Sequence, residues 1–420
     1  MGQKDSVNGL CNGQADGNGL ASRSSFIILH SAFCIHLTSR LFTGMLDAMT
    51  SSKHSISRRD FLKLAGLGLG ALALRPLTGR LAAFKSGSYA LPDFPKADII
   101  ARNCTAGKIE VRTRPDVNGD VVREVYEDTL FPWLREVSAD VVDYRRLNQR
   151  WVDVGEGYVY SPYLQPCRNL PNVPLTAIPE GQKGFWTEVT VPYVDLTLDN
   201  PPARSPSVRN ILGWGQIPRL YYSQLMWMDQ IRTTDSGVVQ YRMNESVGGY
   251  GDLFWTDAAA YRPLTNDDVS PISPDVDAAT KKIVVNLNYQ TLSCFEGDKE
   301  VFFCRVSTGA NPGETPLGAE QAVWRKVLAT HMSGGNLESG YDGAGISWTT
   351  FFNGTGVAIH GATWHNDFGF PRSHGCVNCR PEDAKWIFRW TLPTVSLTPD
   401  PVDWNDWRSG STHVTVVETL

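Results

Sequence analysis

From residue 98 onward the chain alternates apolar and polar residues in short runs, the period of two that predicts β-strands. Runs at 108–115, 121–126, 150–154 and 157–160 read this way, and their close spacing between turn residues predicts a small β-barrel over 98–166. Residues 167–180 are proline-rich without periodicity and read as a linker. Further runs at 187–191, 219–222, 228–232 and 237–242 predict a second small β-domain over 181–263, followed by a second linker at 264–277. The clearest alternation, 282–292, predicts one strand with Ile283, Val285, Leu287 and Tyr289 on a single face. A turn at Glu296-Gly297-Asp298-Lys299 then leads into a strand at 301–306, and 356–360 reads as a buried strand with His360 at its end. One helix is predicted from Pro381 to about Trp390, with Glu382 and Asp383 in its first turn and Ala384, Ile387 and Phe388 as its packing stripe. The expected fold class is mainly β with a few helices (α+β): small β-barrel domains followed by a β-rich domain over 278–417.

A different pattern precedes the strands. Ser57-Arg58-Arg59-Asp60-Phe61-Leu62-Lys63 leads into the charge-free apolar run 64–74. That run falls short of the ~20 residues of a membrane span and has the length of a signal h-region. Residues 45–90 are therefore expected to be a twin-arginine signal region, cleaved after Ala83 or Ala90 or kept as an anchor. Translation is expected to begin at Met45 or Met49, which makes 1–44 a non-structural extension. The expected location is extracytoplasmic, in the cell wall or periplasm, with membrane contact only through this segment.

The composition is globular, 42% hydrophobic and 20% charged, and the net charge of −5 gives no support for a nucleic-acid partner. Export changes the cysteine reading, because six of the eight cysteines follow residue 90 and an oxidising compartment permits pairing. Cys104 and Cys167 bracket the first β-domain and could join its ends. Cys294 and Cys304 sit on one predicted hairpin, where Cys294 is expected opposite Val301, which argues against a bridge between them.

The chemistry concentrates at 359–378, which holds His360, His365 and His374 together with Cys376. A thiol becomes a strong nucleophile as the thiolate, and a neighbouring imidazole is the usual base. His360 can be that base for Cys376, oriented by a backbone carbonyl, and Gly375 permits a tight turn whose amide, with that of Cys376, could face an oxyanion. Other chemistries compete at this point. Cys376-Val377-Asn378-Cys379 is formally a C-x-x-C redox motif, although nothing around it alternates as a βαβ unit. His360, His374, Cys376 and Cys379 could also supply four zinc ligands. His365 and His331 read as loop and lid or surface residues, His413 as a strand-face residue, and Trp386 and Trp390 as core.

The set His360, a twelve-residue spacer, then Ser373-His374-Gly375-Cys376-Val377-Asn378 resembles the L,D-transpeptidase catalytic domain. Thr308-Gly309, Thr315-Pro316-Leu317-Gly318, Met332 and Asp383-Ala384-Lys385-Trp386 extend the resemblance over roughly 278–417. It implies that Cys376 attacks a peptidoglycan tetrapeptide stem, releases D-alanine and passes the acyl group to an amine of a second stem or to water. It implies His360 as base, Gly361 as its carbonyl partner, and the His374, Gly375 and Cys376 amides as the oxyanion site. Ser373 and Asn378 would hold the loop beside the substrate. Tyr341 and Trp348 would be lid or groove residues, and Trp364, whose residue type reads first as core, joins them by position. No cofactor and no metal is implied, and the partners are peptidoglycan stem peptides. Cys379 stands where the family more usually has an apolar residue, so a Cys376–Cys379 disulfide would inactivate the centre. Upstream, Val111-Arg112-Thr113-Arg114-Pro115, Trp151-Val152-Asp153-Val154 and Gly157-Tyr158-Val159 resemble bacterial SH3-like domains, which serve as spacers or wall binders. The rival functions are a non-catalytic cell-wall-binding protein and a zinc-dependent hydrolase.

Overall fold

The computed structural model describes residues 91–419 apart from 145, 246–247, 335–340 and 404–409, and there the alternating runs become 26 short strands. The expected extension (1–44) and signal region (45–90) lie outside the described residues.

In the first unit the strands are β1 (Ile100–Asn103), β2 (Ile109–Arg112), β3 (Val121–Val125), β4 (Leu130–Pro132), β5 (Arg135–Ser138), β6 (Arg150–Asp153), β7 (Tyr158–Tyr160) and β8 (Leu164–Cys167). They form two sheets, ordered β4-β1-β8 and β3-β2-β7-β6-β5, around Val111, Val152 and Val159. Cys104 and Cys167 are both free thiols here. Cys167 lies opposite Ile100 while Cys104 follows Asn103, so the antiparallel ladder holds them about four residues, or ~13 Å, apart along the strand. That is too far for a bridge.

The second unit contains β9 (Phe185–Val189), β10 (Tyr193–Asp195), β11 (Thr197–Leu198), α1 (Pro206–Gly213), β12 (Arg219–Tyr221), β13 (Leu225–Thr233), β14 (Val239–Asn244), β15 (Leu253–Asp257) and β16 (Tyr261–Pro263). Six of its strands form a sheet ordered β11-β15-β14-β13-β9-β16. Helix α1 buries none of its residues and is capped by the Ser205 side chain, which accepts from Val208 N–H. The proline-rich segment 167–180 is a packed strap. Leu170 N–H donates to Thr190 O and Asn172 N–H to Ala259 O, while Leu175 and Ile178 cover the core of the second unit.

The C-terminal unit runs through α2 (Asn266–Val269), β17 (Lys281–Asn286), β18 (Thr291–Glu296), β19 (Lys299–Arg305), β20 (Gly318–Ala322), β21 (Arg325–Gly334), β22 (Tyr341–Phe351), β23 (Ala358–Gly361), β24 (Val377–Cys379), α3 (Pro381–Trp390), β25 (Val402–Asp403) and β26 (His413–Val417). Two five-stranded sheets, β19-β18-β17-β26-β20 and β24-β23-β22-β21-β25, share one core with α3. The run 282–292 is not one strand but a hairpin. Asn286 Oδ1 accepts from Asn288 N–H and Tyr289 N–H, an Asx turn that reverses the chain, and Gln290 completes the turn at φ 52°. A bulge between Cys294 and Phe295 shifts the next register, so Cys294 faces Phe302 rather than Val301.

The units are riveted by buried charge. Arg102 donates to Asp128, Gln165 and Thr363 O, and its guanidinium lies 3.8 Å from the centre of the Tyr221 ring, so one side chain joins all three. His331 is not on the surface: it is buried between Glu245 of the second unit, at 2.9 Å, and Asp342 at the start of β22. Burial lowers its proton affinity, but the two carboxylates prevail and raise its pKa to about 9. A folded pKa above the unfolded ~6.5 means that this clamp stabilises fully below pH ~6.5 and is lost as pH rises through about 9. The melting temperature should therefore fall over that window in the wild type, with a flatter slope in His331→Gln; equal slopes in both would remove the clamp.

Candidate active site

The strand ladder decides which candidates meet. β23 and β24 are parallel, with Ile359 opposite Val377, His360 opposite Asn378 and Gly361 opposite Cys379. Successive side chains on a strand point to opposite faces. His360 and Asn378 therefore share a face with Cys376, whose sulphur is hydrogen-bonded by the Ala358 backbone. Ile359, Val377 and Cys379 point the other way, into the core. Cys379 thus sits across the sheet from Cys376 and contacts the Cys304 thiol instead. A Cys376–Cys379 disulfide, a dithiol redox pair and a four-ligand zinc set are all broken by this one alternation. Among the described residues no group of three His, Cys, Asp or Glu is placed to hold a metal ion.

His360 is buried, and its Nδ1 lies 3.1 Å from Gly361 O. The proton on Nδ1 is held by that carbonyl, so Nε2 is the free, unprotonated nitrogen. Burial pushes the imidazole pKa down to about 4, partly opposed by the Gly361 carbonyl. Gly361 is needed at this place because a Cβ would meet Ser347 Oγ at 2.7 Å and Pro381 Cα at 3.2 Å. Burial also raises the Cys376 thiol, against the pull of the Ala358 backbone. The resting pair is therefore thiol and neutral imidazole, not thiolate and imidazolium. Alkylation of Cys376 by iodoacetamide should accelerate through pH 9 and beyond; a plateau between pH 6 and 8 would mean a preformed thiolate.

The turn before the nucleophile is held from several sides. Ser373 Oγ donates to Cys376 O at 2.5 Å and accepts from Gly375 N–H at 3.0 Å. Thr315 Oγ1 donates to Gly375 O at 2.7 Å and accepts from Gly309 N–H at 2.8 Å. Gly375 sits at φ 128°, and a Cβ there would lie 2.6 Å from Glu314 O, so only glycine fits. Of the three amides expected to face an oxyanion, that of Gly375 is taken by Ser373, which leaves those of His374 and Cys376. Ser373 and Asn378 are both buried and are held by hydrogen bonds within the protein.

Asn378 reaches a residue read from the sequence as a loop histidine. Its side-chain amide is 3.2 Å from His365 Nε2, while His365 Nδ1 accepts from Asp367 N–H. Burial, helped by Arg372 and His360, holds the His365 pKa well below its ordinary value, so the ring is neutral. Its single proton is then on Nε2 and is donated to Asn378 Oδ1, the orientation that satisfies an otherwise orphaned buried oxygen.

At the rim, the Tyr341 ring lies 5.0 Å from that of His374, which is exposed, and the neighbouring Cys376 sulphur contributes to raising its phenol pKa behind the larger effect of burial. Trp364 is 42% exposed with its ring 5.9 Å from that of His360, and lines the mouth of the site. Trp348 does not belong here. It is 1% exposed and packs edge-on against Phe388 beneath α3, with its backbone at φ 56°. Gln290 was missed as a site residue: its side-chain amide accepts from Thr308 N–H and donates to Thr308 Oγ1, bracing the loop that carries Gly309. Its period-two position in the sequence carries no such signal.

The arrangement is a thiol and a neutral imidazole on one face of a parallel strand pair, inside a β-rich unit with a single helix behind them. Residues 280–403 match the family YkuD, the L,D-transpeptidase catalytic domain. Similar solved structures include a mutant L,D-transpeptidase of Enterococcus faecium, at 23% identity over 33% of this chain and 50% of that one, with a TM-score of 0.25. Another is the L,D-transpeptidase of Mycobacterium smegmatis, at 16% identity over 45% of this chain and 98% of that one, with a TM-score of 0.26. L,D-transpeptidase 3 of Mycobacterium tuberculosis matches at 15% identity over 46% of this chain and 92% of that one, with a TM-score of 0.25. The match spans half the length of the Enterococcus faecium structure. No curated protein matches the chain.

Proposed function

We propose that this chain is an exported peptidoglycan L,D-transpeptidase. The observation that carries the reading is the tautomer of His360, whose free Nε2 shares a strand face with the Cys376 thiol. As Cys376 Sγ adds to the carbonyl of the third residue of a tetrapeptide stem, His360 Nε2 takes the thiol proton. The oxyanion is met by the His374 and Cys376 amides. Collapse breaks the amide bond, the imidazolium returns its proton to the departing D-alanine nitrogen, and a thioester remains on Cys376. An amine of a second stem then attacks the thioester, gives its proton to His360 and leaves as the cross-link while the thiol is restored. Water in place of the amine gives L,D-carboxypeptidase trimming.

Tyr341 and Trp364 flank the stem at the mouth of the site in this reading. The twin-arginine segment delivers the enzyme to the wall, and the two β-units ahead of the catalytic unit, the first of them SH3-like, serve as spacers or wall contacts. No metal or cofactor enters any step. Incubation with disaccharide-tetrapeptide under reducing conditions should give cross-linked dimer or trimmed tripeptide by mass spectrometry. Cys376→Ala should abolish both, and product that persists in the variant would sink the proposal.

A further inference from the structure

A cavity of about 160 Å³ lies where the three units meet, lined in part by His365 and Asn366. It is built by the first unit (Trp133, Glu136, Arg150), the second (Tyr222) and the segments around α3 (Phe368, Arg380). Its chemistry is polar and unfinished. Arg380 makes no salt bridge among the described residues; its guanidinium carbon lies 6.0 Å from the centre of the Phe368 ring, and its charge reaches the Asp383 carboxyl. Arg380 is also the N-cap of α3, a position at which an acceptor side chain is usual, and no side chain caps the helix. Arg380 thus puts a guanidinium on one wall, beside the amino end of a ten-residue helix whose first turn already carries Glu382 and Asp383, so the charge that favours an anion there is that of Arg380. The opposite wall carries Glu136, paired to Arg150 at 3.3 Å and hydrogen-bonded by Ser161, and Glu382 stands at the rim. Trp133 and Tyr222 supply apolar surface between them, and neither the indole N–H nor the phenol O–H has a hydrogen-bond partner among the described residues.

The geometry points to a binding site for a small zwitterionic α-amino acid, with its carboxylate on Arg380 and its ammonium toward Glu136. The size agrees: an engineered protein cavity of about 150 Å³ takes a six-carbon ring, and alanine likewise has six non-hydrogen atoms. A disaccharide or a folded peptide needs the several hundred Å³ of an ordinary ligand pocket. Two arginines against two glutamates favour a ligand that is dipolar and neutral overall. The cavity is also wired to the nucleophile strand, because His365 lines it and holds Asn378 two residues beyond Cys376. This site is separate from the acyl-transfer reading and stands without it.

Titration of the full chain, as its Cys376→Ala variant, with D-alanine, L-alanine, glycine, sodium acetate and ethylamine tests the assignment by calorimetry and Trp fluorescence. The alanines and glycine should bind saturably at one site, at least about tenfold tighter than acetate or ethylamine. Arg380→Ala should weaken them about tenfold or more with an unchanged melting temperature. If Arg380→Ala unfolds, Trp133→Ala at the cavity rim serves instead and should give the same loss. Acetate binding as tightly as alanine, no saturation by any amino acid at 50 mM, or binding indifferent to the variant that folds would each overturn it. Use of the Cys376→Ala chain keeps failure here distinct from failure of the transpeptidase reading.

Discussion

His360→Gln is expected to slow acylation of Cys376 by about 10²–10⁴-fold at pH 7, measured by intact-mass single turnover. The reason lies in the resting state. Because burial raises the thiol and lowers the imidazole, almost no thiolate exists before substrate arrives, so proton removal must accompany attack. Glutamine can still donate to Gly361 O but has no basic nitrogen to offer. The residual rate in the variant should climb with pH as a free thiol does, and an acylation rate within about threefold of wild type would exclude His360 as the base. The same residue sets an acid limit on stability. Its folded pKa of about 4 lies below the ordinary ~6.5, so its contribution is present above pH ~6.5 and is lost as pH falls through about 4. His331, with its pKa raised to about 9, works in the opposite direction.

Lys326→Met should lower stability by about 3 kcal/mol, the scale of leaving buried carbonyls without donors. The Lys326 ammonium lies inside the catalytic unit and donates to Phe388 O, to Thr391 O at 2.8 Å and to Pro393 O at 2.8 Å. These are carbonyls at and beyond the last turn of α3, where a cation also answers the negative end of the helix dipole. Burial drives the Lys326 pKa well below its ordinary value, so the site is costly to build. Methionine fills the volume, removes the desolvation cost and leaves the acceptors empty. A melting temperature lower by about 6–12 °C is expected. An unchanged melting temperature would show that the three carbonyls find other donors.

Much of the candidate site could be read from the chain itself. His360, Cys376 and the glycine turn before the cysteine declare their chemistry by residue type and spacing, and α3 begins and ends where Pro381 and its apolar stripe place it. The buried strand that ends on His360 was visible as a short apolar run. The hairpin at β17 and β18 was not, because Asn286 and Gln290 continue a period-two pattern while their side chains close a turn. The burial of Trp348 was hidden for a similar reason, since position in a motif says nothing about which face of a strand packs against the helix behind it. Lys326 and His331 look like surface residues in one dimension. Their burial depends on a helix end and on two carboxylates supplied by distant parts of the chain.

The sequence by itself marked Cys376 and His360 as the proposed nucleophile and base and determined the β-rich class and the helix behind the site, because these rest on local properties: residue type, periodicity and turn chemistry. Only the tertiary structure decided what surrounds the nucleophile. The parallel pairing of β23 and β24 put His360 on the Cys376 face and Cys379 in the core, which settles by alternation a question that spacing left open. The packing of that pair under the Thr315 and Gln290 braces made both titrating groups neutral, because desolvation depends on everything that closes over a side chain and not on its neighbours in the chain.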